Sequence, residues 1–259
     1  MALIAPSPYR TVNAEDFRWT HVPERQVSSF RNDWLHQRQV VGFDSPITNV
    51  GALVYLGHDD IQPRGMFPMH PHRGIEVVSY ILSGRIEHED TTGAKGWLTP
   101  GELGHMVSGR GVRHSERNPD DSLLSLFQIF ILLDAANRYV EPSYRRFDAD
   151  AIPQAADEGV TTFRLLGDGA ALTTHVPVAI SRYVFQDGSE TARSVEAGSE
   201  TLVYADAGTL EVEVGDVSVT LAPRDELVLE LDATVPLRIR ALGPAQGVVV
   251  SSPVLAFNN

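Results

Sequence analysis

The chain has 259 residues, a formal net charge of −13 and no cysteine, which excludes a disulfide scaffold, a cysteine zinc knuckle and an iron–sulfur cluster. That charge, with Lys95 as the one lysine, argues against a sequence-independent grip on phosphate backbones, so no direct nucleic-acid binding is expected. No run reaches the roughly 18–20 apolar residues of a membrane span, and Met1 to Arg10 is too short on apolar residues for a signal-peptide core, so a cytoplasmic protein without membrane contact is expected.

From Val50 to about Leu133, short β-branched or alternating runs (Ala52–Leu56, Glu76–Leu82, Arg85–His88, Gly96–Leu98, Ser125–Leu133) are cut by glycine and proline. Such spacing predicts an antiparallel sandwich or barrel. Ser83-Gly84, Thr92-Gly93 and Pro100-Gly101 mark its tight turns. Between Asp134 and Gly159 the alternation lapses around Pro142 and Pro153, which predicts a linker. Strand patterns then return at Ala179–Phe185, Thr201–Asp206, Thr209–Val214, Val217–Leu221, Glu226–Leu231, Val235–Ala241 and Gly247–Ser251.

The two halves repeat one another. Ser79-Tyr80-Ile81-Leu82-Ser83-Gly84-Arg85-Ile86-Glu87-His88 parallels Val203-Tyr204-Ala205-Asp206-Ala207-Gly208-Thr209-Leu210-Glu211-Val212, and Leu98 to Leu103 parallels Leu221 to Glu226. An internal duplication of this kind predicts an all-β chain of two tandem barrels, residues 1–150 and 151–259. Histidine in the second half is limited to His175, so metal is expected only in the first barrel.

The chemistry gathers at His70-Pro71-His72 and His114-Ser115-Glu116. Residues two apart on a strand share a face, with Cα atoms roughly 6–7 Å apart. Two such strands face to face can therefore close His70, His72, His114 and Glu116 on one ion, and an N₃O set suits iron, copper, manganese, nickel or zinc better than calcium or magnesium.

His70-Pro71-His72-Arg73-Gly74-Ile75-Glu76, with Ser108-Gly109-Arg110-Gly111-Val112-Arg113-His114-Ser115-Glu116, resembles the paired motifs of the pirin family within the cupin superfamily. The likeness runs from about Ser29 to Pro153. It implies a bicupin whose first barrel holds one metal, iron being the family's ion, through the residues matching His70, His72, His114 and Glu116. It also implies two activities: flavonol ring opening by quercetinase-type dioxygenases, and iron-dependent regulation through a protein partner. The tract Leu126 to Ile131 and the segment around Phe43 depart from the family pattern.

Glu76 is the rival carboxylate, read as a hydrogen-bonding neighbour of the ligands rather than a ligand. His88 and His105 are read as having no partner at spacing two, and so as surface or supporting groups. Arg73 and Arg113 alternate away from the metal toward salt bridges. Gly109-Arg110-Gly111 is a tight loop and not a phosphate cradle. Met66, Phe67 and Met69 are read as barrel packing.

Three neutral imidazoles and one carboxylate leave a divalent ion open to a chelating flavonol-like phenolic and dioxygen, with Glu116 as the catalytic base. The alternatives are a non-enzymatic iron sensor acting on a protein partner and, ranked last, a zinc or manganese sugar isomerase.

Overall fold

A computed structural model describes residues 10–13, 17–24 and 28–254. The reading of the amino terminus as lacking a signal core falls almost wholly outside them. No helix among the described residues is long and apolar enough to cross a membrane.

The strands open with β1 (Arg10–Asn13), β2 (Phe17–Val22), β3 (Ser28–Arg31) and β4 (Leu35–Val41). The first barrel continues with β5 (Leu53–Ile61), β6 (Met66–His72), β7 (Ile75–Ser83), β8 (Ile86–Asp90), β9 (Lys95–Leu98), β10 (Leu103–Val107), β11 (Val112–Arg117) and β12 (Leu124–Leu132). After them come β13 (Ser143–Phe147), a 3-10 turn (Ala149–Ala151), β14 (Gln154–Asp157) and β15 (Val160–Leu166). The second barrel closes the chain with β16 (Ala179–Phe185), β17 (Glu190–Val195), β18 (Ser199–Ala207), β19 (Leu210–Val214), β20 (Val217–Leu221), β21 (Glu226–Leu231), β22 (Val235–Ala241) and β23 (Ala245–Pro253).

Two orders recur. A seven-stranded sheet, β13-β10-β7-β12-β5-β4-β3, stands with a four-stranded one, β6-β11-β8-β9. The eight-stranded sheet β1-β2-β21-β18-β23-β16-β15-β14 and the four-stranded β17-β22-β19-β20 repeat that plan with the equivalent strands. The edges are exchanged: β2, from before the first barrel, pairs with β21, while β13, from after it, pairs with β10. The stretch expected as a bare linker thus contains β13 and β14. Both lie at sheet edges and are largely exposed, so backbone pairing rather than apolar alternation makes them strands.

Ile75–Ser83 is buried along nearly its whole length because both its faces are covered. Ile81 packs inside the first barrel with Ile61, Ile86, Leu98 and Leu126, whereas Val78 and Tyr80 face the other half. There one apolar cluster unites Leu103, Phe127 and Ile129 with Leu202, Tyr204, Val228 and Val250. The second barrel is filled with aliphatic side chains, among them Val212, Leu237 and Ile239. Each such fully buried side chain contributes about 1.5–3 kcal/mol. The first barrel keeps instead a polar interior at β6, β8 and β11.

Candidate metal centre

Strands β6 and β11 run antiparallel with His70 opposite His114, and alternation puts His72 beside His70 on the same face. One ligand atom from each of His70, His72 and His114 lies within 4.8 Å of the others. The ring centroids of His70 and His114 are 4.4 Å apart, and those of His72 and His114 4.9 Å. His70 Nδ1 is 2.8 Å from the Pro68 carbonyl, to which it donates, so its Nε2 carries the lone pair. That Nε2 is 3.0 Å from Nε2 of His114.

Burial, then the neighbouring His114 and His70, holds His72 down at about 4. Burial, then His70 and His88, holds His114 down at about 3. Both imidazoles are therefore neutral donors near pH 7. Nε2 of His72 and Nδ1 of His114 are buried without a hydrogen-bond partner. Clustered neutral imidazoles with unpartnered nitrogens are what a divalent transition ion needs, and these residues fit one.

Glu116 sits deeper. A bulge between His114 and Glu116 sets it opposite Phe67 on β6 and His88 on β8. Gln128 Nε2 donates to its Oε2 at 2.9 Å, and Ser79 Oγ is 3.0 Å from its Oε1. Its carboxylate groups within 4.8 Å with His88 and His114, not with the His70–His72 pair. His114 thus belongs to two trios, one with His70 and His72 and one with His88 and Glu116, and the four expected ligands are divided between them.

His88, read as a surface or supporting group, is buried at 4 % exposure. Its Nε2 is 3.0 Å from Asp90 Oδ2, and its ring stacks on Tyr144 at 3.9 Å and 8°. Burial opposes the ionisation of Asp90, yet hydrogen bonds from Thr92 and His88 outweigh it and hold the carboxyl below its usual range. The signal was present as His88-Glu89-Asp90, since spacing two puts imidazole and carboxylate on one face of β8. Asp59 was also missed. It lies in the same interior, where burial, with Glu116 adding, pushes its carboxyl up to about 7.

Glu76 points away from the metal residues, its Oε2 2.6 Å from His105 Nε2. Its Oε1 accepts from the backbone of His175 at 2.7 Å and contacts that ring at 2.9 Å, so it clasps the second half of the chain. Arg73 lies over the Tyr139 ring, and Arg113 donates to the Met69 carbonyl, in place of the salt bridges expected. Met66 and Met69 are exposed at the barrel lip rather than packed, because β6 is the edge strand of its sheet; Phe67 does pack, edge-on to Trp34 at 4.9 Å.

The Pirin family model matches residues 25–131. That stretch of the chain is similar to the pirin family. Rat (Rattus norvegicus) pirin is 30% identical over 178 residues, 67% of this chain and 61% of that protein, so the match spans about three fifths of the relative's length. A Pseudomonas aeruginosa relative named "Putative quercetin 2,3-dioxygenase" is 28% identical over 82% of this chain and 93% of its own. Among solved structures, Escherichia coli YhhW superposes with a TM-score of 0.77 at 22% identity, covering 92% of this chain and 98% of its own. A structure titled quercetin 2,3-dioxygenase from Acinetobacter baumannii superposes at 0.80 and 20% identity, covering 96% and 88%. The fold of these structures, two tandem β-barrels, is therefore that of this chain.

Proposed function

We propose that the barrel within residues 1–150 binds one divalent ion through His70, His72, His114 and Glu116, with Fe(II) the expected ion and Cu, Mn, Ni or Zn the alternatives. On this reading the chain acts on a flavonol-like phenolic and O2 as a quercetin 2,3-dioxygenase-type enzyme, and the unit within 151–259 is a metal-free support that borrows β1 and β2. The observation that carries it is the convergence of three imidazoles, two of them half-exposed, with a buried carboxylate behind them. The names of the Pseudomonas and Acinetobacter proteins support the substrate class.

A bound ion would stabilise a phenolate oxygen and hold it for reaction with O2. The chain supplies the rest. His72 lies edge-on to Phe130, which stacks on Tyr55 at 4.7 Å, an aromatic wall suited to a phenolic ring. Glu116 takes the hydroxyl proton on a carboxylate oxygen while Gln128 and Ser79 hold its orientation. The test is O2 uptake by anaerobically prepared, iron-loaded protein with quercetin. Uptake is expected to vanish in His70→Ala/His72→Ala and to fall by about 10²–10⁴-fold in Glu116→Ala. Full turnover by Glu116→Ala would remove it as the base.

A second reading, a non-enzymatic iron sensor acting on a protein partner, is favoured by exposed apolar side chains on the same barrel. Trp97 and Met66 line a surface cavity of about 510 Å³ with Glu87, Lys95 and Arg117. Absence of O2 uptake at full iron occupancy would favour it.

A further inference from the structure

We infer that His88, His114 and Glu116 form an inner position for the metal ion, an alternative to the outer one at His70 and His72 and sharing His114 and Glu116 with it. The inference rests on the barrel being a metal centre and assigns to His88 a ligand role that the paired histidine motifs do not contain.

Three observations converge. His88, His114 and Glu116 are each at most 4 % exposed, and one ligand atom from each lies within 4.8 Å of the others. His88 is held as metal-ligating imidazoles are held: its Nε2 pairs with Asp90 Oδ2 at 3.0 Å, which leaves Nδ1 as the coordinating atom. Asp90 is fixed in turn, its Oδ1 accepting from Thr92 N at 2.8 Å and Thr92 Oγ1 at 2.6 Å. The stack on Tyr144 sets the ring plane. Finally, Glu116 is oriented from behind by Gln128 and Ser79, and His114 has a buried, unpartnered Nδ1 in addition to the Nε2 that faces His70.

The two positions differ in chemistry. The outer one opens on the barrel mouth through half-exposed His70 and His72, whereas the inner one is closed and replaces those two imidazoles with the single imidazole of His88. A neutral His114 has one lone pair, on Nε2 toward His70 or on its orphaned Nδ1, so it serves one position at a time.

Cu(II) is the probe, with affinity read by chelator competition and coordinated imidazole by pulsed electron paramagnetic resonance. The chain lacking the outer pair, His70→Ala/His72→Ala or His70→Gln/His72→Gln, is expected to retain one Cu(II) with an imidazole signature. Adding His88→Gln, which can still bond Asp90, or His88→Phe, which can still stack on Tyr144, should weaken that binding by more than the about 10–100-fold that follows loss of a group merely supporting a ligand. Circular dichroism identifies the folded variants, and the paired replacements ensure a readable one. Wild-type binding with none in the outer-pair variants overturns the inner position alone, as does binding there that ignores both His88 replacements. A wild-type chain that takes up no Cu(II) overturns the metal centre with it.

Discussion

Asp59 shows how one residue carries a cost that its neighbours create. It is fully buried, its Oδ1 has no partner, and Gln37 Nε2 offers its Oδ2 only a 3.3 Å contact. Its carboxyl keeps its proton to about 7 in the folded chain, against 3.8 for the free group. Below about 4 both folded and unfolded chains hold that proton and the group is neutral for stability. Between about 4 and 7 the unfolded chain alone releases it, so stability falls as pH rises, by on the order of 1 kcal/mol per pH unit. Denaturation of wild type and Asp59→Asn across pH 4–8, with chelator present, should show their difference growing over that window. A difference flat in pH would mean that Asp59 ionises normally. Glu76 is the opposite case: burial disfavours its charge, yet bonds from His105 and His175 outweigh burial and hold it ionised below the usual range.

At the scale of elements, the glycine turns decide where strands end. Gly84 and Gly208 occupy matching places in the two barrels, with φ of 78° and 73°. A Cβ at Gly84 would come within 2.7 Å of the Leu123 carbonyl oxygen, and one at Gly208 within 2.4 Å of the Pro244 carbonyl oxygen. Each turn therefore packs against the backbone that leads into the last strand of its own barrel. Gly84→Ala and Gly208→Ala should each lose about 1–3 kcal/mol from left-handed backbone alone, and more from the clash. Urea denaturation would measure it, and a neutral result at either would show that the turn rearranges freely. Strands β8 and β11 show the other side of element logic: alternation brings His88 against Glu116 once their register is known.

At the scale of the whole molecule, duplication explains both what the second barrel lost and one oddity it kept. Register equates Glu116 and His88 with Ile239 and Val212, and His114 with Leu237, so aliphatic packing fills the place of the metal residues. The same comparison equates Leu103, opposite Tyr80, with Glu226, opposite Tyr204. Glu226 is fully buried with neither carboxylate oxygen partnered, and burial, with Asp225 adding, pushes its carboxyl well above its usual 4.5. Glu226→Leu, copying the first barrel, should stabilise the protein by about 1–3 kcal/mol at pH 7. The folded carboxyl is the weaker acid, so the wild type loses stability as pH rises above about 4.5 and the advantage of the variant grows with it. Thermal melts at pH 4 and pH 8 would test this, and a destabilised variant would mean that the carboxyl has a partner.

Residue spacing by itself determined the all-β duplicated plan and the place of the metal chemistry. Alternation and glycine turns are local, and His70, His72, His114 and Glu116 lie in two short motifs. What it left open was long-range pairing. The edge strands β2 and β13 are exchanged between barrels by backbone hydrogen bonds that carry no side-chain pattern. His88 comes beside Glu116 and His114, and Glu76 turns to His175, because of which strands meet, and strand order is a property of the folded chain. Only the tertiary structure could set His114 between two trios, with His70 and His72 on one side and His88 and Glu116 on the other, since burial and register, not spacing, decide which nitrogen faces which carboxylate.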